Sequence, residues 1–218
     1  MGDFSGALQT LSVAAIPILF AITLHEVAHG WAAKQFGDRT AEMLGRLSLN
    51  PIKHIDPVGT ILVPMAMVIT TGFMFGWAKP VPVNFSALNN PKRDMVFVAL
   101  AGPAANFVMA FIWAVILKVT LLVGTPGGGA TEFFRSMADI GIFFNVLLAV
   151  FNMLPIPPLD GGRVVRGLVD ESIGRTLDRI EPFGLIIVVG LLFMGWLFPL
   201  MRPALEFFER LILSLVGL

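Results

Sequence analysis

Thr23-Leu24-His25-Glu26-Val27-Ala28-His29-Gly30 sets an H-E-x-x-H pattern inside an apolar run. On a helix, residues four apart share a face, so His25 and His29 can offer imidazole nitrogens to one metal ion while Glu26 flanks it. That is the arrangement of a zinc hydrolase; the competing reading is a chance match on a buried helix with two satisfied histidines. Residues 4–24, just before the motif, carry no charge. Ionisable groups in such a segment are costly and face the protein interior or a wet cavity, where they serve function.

Composition sets the surroundings. Of 218 residues, 56% are hydrophobic and 14% charged, with a mean hydropathy of +0.82, which marks an integral membrane protein in a lipid bilayer. Lys and Arg together equal Asp and Glu at 15 each, and no basic run or stacking motif is present, so nucleic-acid binding is excluded. Cys is absent, which removes disulfides, thiolate metal sites and a cysteine nucleophile. Any metal must then sit on His and carboxylate. The N-terminus lacks the basic region and cleavage site of a signal peptide, so residues 4–24 are expected to remain as a membrane helix.

Five segments lack Asp, Glu, Lys and Arg: 4–24, 57–78, 95–117, 140–159 and 182–201. Each is about long enough to cross a core of roughly 30 Å. The first helix is expected to continue to about Phe36 and end at Gly37-Asp38, with Lys34, Arg39, Arg46 and Lys53 following it on the cytoplasmic side. If all five segments crossed in turn, Asp160 would emerge opposite His25 and His29, and six basic residues would lie inside against seven outside. If 57–78 enters and returns on one side, eleven lie inside and four outside. The re-entrant reading therefore satisfies the positive-inside rule. Residues 45–50 alternate with period two, and 78–84 are held extended by Pro80 and Pro82, so both are read as pieces of a small sheet near the site. Asp56-Pro57 reads as an N-cap followed by proline at the first helical position.

Further along, Ala101 and Ala105 suit close helix contact, and Asn106 is read as packing glue in preference to a substrate contact. Asn145 and Asn152 are seven apart and share a helix face. Residues 162–181 read as a polar helical segment at the inner leaflet, and the tail after Arg202-Pro203 as an amphipathic helix lying in the interface rather than crossing.

A hydrolytic zinc site needs three protein ligands and an open position. The third is either His54, the one remaining histidine, or a carboxylate. The best carboxylate is Asp160, in Asn152-Met153-Leu154-Pro155-Ile156-Pro157-Pro158-Leu159-Asp160-Gly161-Gly162. Its prolines break a helix in apolar sequence, which is tolerated where the backbone is buried in protein or lines a wet cavity. A plain N-cap is the alternative for Asp160, and His54 can instead orient the loop before Pro57.

Together these residues resemble the site-2 protease family of intramembrane zinc metalloproteases. His25, Glu26 and His29 match its H-E-x-x-H motif, while Asn152, Pro155, Pro158, Asp160 and Gly161 match its N-x-x-P-x-x-P-x-D-G motif. The resemblance covers about residues 8–170 and points to the compact bacterial and archaeal branch without PDZ or CBS domains. It implies an all-α polytopic protein with a three-helix catalytic core, to which the reading above adds further membrane helices, a small β-sheet element and the re-entrant segment. The chain is then one protease domain over 1–218, its C-terminal membrane helix and tail occupying 182–218. The resemblance implies one Zn2+ held by His25, His29 and Asp160. Glu26 is the expected base, and Asn152 the candidate for holding substrate backbone or oxyanion. The expected substrate is a transmembrane protein, the expected location a prokaryotic inner membrane with the site nearer the cytoplasm. The alternative is a non-catalytic metal-binding protein or an ion transporter; a transporter should show repeated halves, and neither motif occurs twice.

Overall fold

The computed structural model describes residues 4–63, 65, 76 and 79–218. Among them are eight α-helices: α1 Phe4–Gln35, α2 Thr40–Met43, α3 Pro91–Val123, α4 Gly129–Asn152, α5 Asp160–Leu168, α6 Glu171–Ile180, α7 Gly184–Phe193 and α8 Leu197–Leu215. Ser12–Gln35 of α1, α3 and α4 are the three that are long and apolar enough to cross a membrane. α3 packs on both α1 and α4, which also pack on each other. The core uses small residues at these crossings: Ala110, Ala114, Ala138 and Ala149 are fully buried, and a Cβ on Gly141 would meet the Trp113 ring at 2.4 Å. Between apolar helices in lipid, close backbone approach and dispersion carry association, so small residues mark the contact. On the α1 side the small residue that the packing requires is Gly102, beside the expected Ala101: a Cβ there would run into the His25 and His29 rings.

α1 stops where Gly37 turns to φ 107° and Asp38 N–H returns to Ala33 O at 2.9 Å. Buried Asp38 then ties the polar connection together, accepting Thr40 N–H at 2.9 Å and Asn84 N–H at 2.7 Å. Burial opposes its charge, but hydrogen bonds from the Thr40 hydroxyl and from the backbone N–H groups of Thr40 and Asn84 outweigh it and hold the carboxyl below its ordinary range. Asp56 caps the turn Pro57–Leu62 as expected, accepting Val58 N–H at 2.9 Å and Gly59 N–H at 2.8 Å. Most of the re-entrant candidate 57–78 lies outside the described residues. Its two flanks do meet: Lys79 N–H donates to His54 O at 2.9 Å.

Two expectations are corrected. The small β-sheet is not formed: no strand occurs among the described residues. Within 45–50, Gly45 turns at φ 62° and Ser48 N–H closes onto Arg46 O at 3.0 Å; 79–84 form no regular element, and much of the polar backbone of both stretches is taken by side chains. Val81 N–H goes to Glu26 and Asn84 N–H to Asp38, Lys79 O and Pro80 O accept from Arg46, and Ser48 O accepts from His54. Pro80 and Pro82 have no N–H to offer, so no ladder can propagate. The fifth apolar segment, 182–201, is not one helix either. α7 is ten residues, about 15 Å and too short to cross; Gly195 at φ 72° follows it, and the run Glu171–Phe193 meets α8 at 88°.

Candidate metal centre

α1 presents His25 and His29 one turn apart on the face packed against α3. Gly102 makes this possible: a Cβ there would lie 2.3 Å from His29 Nε2 and 2.7 Å from His25 Cε1. The far wall is the start of α5. Gly161 and Gly162 let that helix begin against the Pro-rich loop, where a Cβ would sit 2.3 Å from Met153 O and 2.4 Å from Pro157 N. Leu159, not Asp160, holds the N-cap position of α5, and Asp160, the first helical residue, turns its carboxylate inward toward the two histidines.

The three groups converge. Asp160 Oδ2 lies 3.3 Å from His25 Nε2 and 3.3 Å from His29 Nε2, and the two Nε2 atoms are 3.0 Å apart. Both imidazoles have their other nitrogen committed. His29 Nδ1–H donates to Val98 O at 2.7 Å, and a carbonyl can only accept. His25 Nδ1–H donates to Asn106 Oδ1 at 2.6 Å. The Asn106 amide is fixed in that sense because its Nδ2 donates to Ala21 O at 3.1 Å and Asn145 Oδ1 at 2.9 Å. Neutral imidazoles so arranged turn bare Nε2 lone pairs toward each other and toward a carboxylate oxygen. Asp160 Oδ2 is buried without a hydrogen-bond partner. Three acceptors facing one another without a proton are unfavourable unless a cation lies among them, and two imidazoles with one carboxylate form a donor set that suits zinc.

Glu26 sits beside this group and is oriented by backbone: its Oε2 accepts Val81 N–H at 2.6 Å. Val81 carries the single N–H in Pro80-Val81-Pro82. Arg46 clamps that strip to the preceding loop through Lys79 O at 2.9 Å, Pro80 O at 3.3 Å and Lys53 O. Gly30 leaves room for the cover, since a Cβ there would meet Leu47 and Val81 at 2.6 and 2.7 Å. The result is a cavity of about 210 Å³ lined by His25, Glu26, His29, Asn152, Asp160 and Arg163, among others.

Asn152 lines the cavity, with its amide turned back to Leu148 O at 2.9 Å. His54 is buried elsewhere, Nε2 donating to Ser48 O at 2.8 Å, and is not in the converging group. Asn106 does more than fill the crossing: through Asn145, whose amide donates to Gly141 O at 2.8 Å, it joins α4, α3 and α1 in one buried chain ending on His25. Sequence reasoning missed the carbonyl of Val98, which no residue type signals, and the Val81 N–H, which the flanking prolines could have signalled. Asn106→Ala is expected to lower zinc affinity by about 10- to 100-fold through loss of imidazole orientation, measured by chelator competition on the purified protein. Unchanged affinity would show that Asn106 only packs.

Apolar helices enclosing two imidazoles, a carboxylate and an adjacent glutamate in one cavity define a membrane metallohydrolase class. The model of peptidase family M50 matches residues 13–138 and 125–195. YwhC of Bacillus subtilis (strain 168), named a candidate zinc metalloprotease, is 40% identical over 177 residues, covering 79% of this chain and 76% of that protein. Rip2 of Mycolicibacterium smegmatis, named likewise, is 33% identical over 175 residues, covering 80% and 64%. The zinc metalloprotease MJ0392 of Methanocaldococcus jannaschii is 21% identical over 169 residues, covering 73% and 35%. No solved structure matches. The chain belongs to peptidase family M50, the site-2 protease family, and is a zinc metalloprotease.

Proposed function

We propose that the protein is an intramembrane protease that hydrolyses peptide bonds within or near transmembrane segments of membrane proteins, with one zinc per chain at His25, His29 and Asp160. The observation that carries this reading is the convergence of those three acceptors, with Asp160 Oδ2 otherwise unpartnered, at the flank of an apolar span. Bound there, zinc supplies Lewis-acid polarisation of the scissile carbonyl and acidifies water. Glu26, one oxygen held by Val81 N–H, takes the proton of the attacking water on its carboxylate and returns it to the leaving amine. Asn152, which lines the cavity, holds substrate backbone or oxyanion in this reading once its amide leaves Leu148 O. The apolar helices exclude bulk water, so a substrate helix must unwind locally to expose a peptide bond. The whole of 1–218 is read as one protease unit, in a prokaryotic inner membrane with the site nearer the cytoplasm. The bond from Lys79 to His54 supports a 57–78 segment that enters and returns on one side.

The test uses purified protein and a single-span membrane protein in the same vesicles. Cleavage should stop on chelation and return on adding zinc. Zinc-dependent ion flux without cleavage would favour the transporter reading instead.

A further inference from the structure

α8 carries Arg202, Glu206, Glu209 and Arg210, while Leu197, Met201, Leu205 and Ile212 on its other side, with Val216 just beyond, are buried in the core that α3 and α4 build. Two ties set its depth. The Phe208 ring lies 4.5 Å from that of Phe107 on α3, and the Lys118 ammonium further along α3 donates to Val216 O. Between the ties α3 advances from 107 to 118 and α8 from 208 to 216, about 16 and 12 Å by helical rise. α8 therefore runs alongside α3 in the same direction, rather than lying flat in the interface as an amphipathic tail would. Phe107 stands at the middle of the charge-free stretch 95–117. All four charged residues of α8 then fall within about 9 Å of mid-depth along the axis, well inside a hydrocarbon core of about 30 Å.

These side chains point away from the bundle. Arg202 is 77% exposed and Arg210 81%, with Glu206 at 43% between them, 2.7 Å from Arg202 and 3.5 Å from Arg210. Charged groups at that depth are costly against acyl chains, even paired along one helix, and in membrane proteins they face protein or a wet cavity. We propose that this face is covered by the same face of a second copy of the chain, forming a two-fold dimer. The stripe holds two positive and two negative charges, with Glu206 one turn from an arginine on either side, so it is complementary to itself. An axis along the membrane normal sets two such stripes side by side with identical residues level, so each Glu206 pairs with the opposing Arg202 and Arg210 through the reach of their long side chains across one turn, about 6 Å, residue i meeting j as j meets i. A partner of a single charge sign would leave half of the stripe unmatched. Exposed Phe207, Leu211 and Leu215 flank it and supply apolar contact around the charges.

Because the chain has no Cys, single cysteines test this directly in native membranes. Ser214→Cys, one turn beyond Arg210 and exposed, should form a disulfide species of twice the chain mass on mild oxidation. Val108→Cys, 60% exposed on α3, should not. Glu206→Arg added to the Ser214→Cys chain should cut cross-linking at least tenfold, and co-expression with Arg202→Glu/Arg210→Glu in the same cysteine background should restore it. Zinc content verifies that each variant is folded. The proposal is overturned if Ser214→Cys stays monomeric or links to a protein of another mass, if Glu206→Arg cross-links as well as its parent, or if the opposite-charge pair fails to restore the dimer.

Discussion

Glu26→Gln is expected to keep zinc at the wild-type level and to lose proteolysis by about a hundredfold or more, the range that general-base removal produces. The substitution is close to isosteric. The amide oxygen can still accept Val81 N–H, so the Pro80-Val81-Pro82 strip should stay in place over the cavity. His25 and His29 do not depend on Glu26 for orientation, since Asn106 and Val98 O hold them. Only the proton acceptor is removed. Metal analysis and a cleavage assay on the same preparation check both halves. Activity within a few-fold of wild type would mean that another group takes the proton.

Asp160→Ala is expected to lose both zinc and activity. Open-site zinc needs three protein ligands, and among the described residues His25, His29 and Asp160 form the one group of His and carboxylate atoms close enough together to hold an ion. Removing the carboxylate leaves two imidazole nitrogens 3.0 Å apart and a much weaker site. Asp170→Ala is the control: Asp170 is exposed, and its side chain makes no capping bond at the start of α6. It should keep zinc and activity. Stoichiometric zinc in the Asp160 variant after the dialysis used for wild type would refute the ligand assignment and turn attention to His54, which lies apart from this group.

The parts of the site written in side chains at regular spacing could be read from the sequence. H-E-x-x-H needs only helical periodicity to put His25 and His29 on one face, and the prolines before Asp160 could be seen to deliver a carboxylate from a broken helix. Asn106 was visible as a polar group in an apolar helix, but a single helix does not show which imidazole faces it from the next. Val98 O was invisible, since every residue has a carbonyl. The sheet failed for a related reason: alternation and prolines report extended backbone, not where its hydrogen bonds go, and Arg46, Glu26 and Asp38 took them. The fifth segment failed because lack of charge says nothing of a bend at Gly195. That bend sets α8 beside α3, which is why the dimer proposed above places at membrane depth charges that the sequence alone reads as interfacial.

Cleavage inside the bilayer, as proposed for this centre, leaves a direct trace in the substrate. Its most direct test is the position of the cut, mapped by mass spectrometry on both fragments of a single-span protein cleaved in vesicles by the zinc-loaded protein. The expected scissile bond lies within the apolar segment, in its cytoplasmic half, and the cut is absent after chelation and in the Glu26→Gln variant. A cut confined to the aqueous flanks, or one that persists with Glu26→Gln, would contradict it.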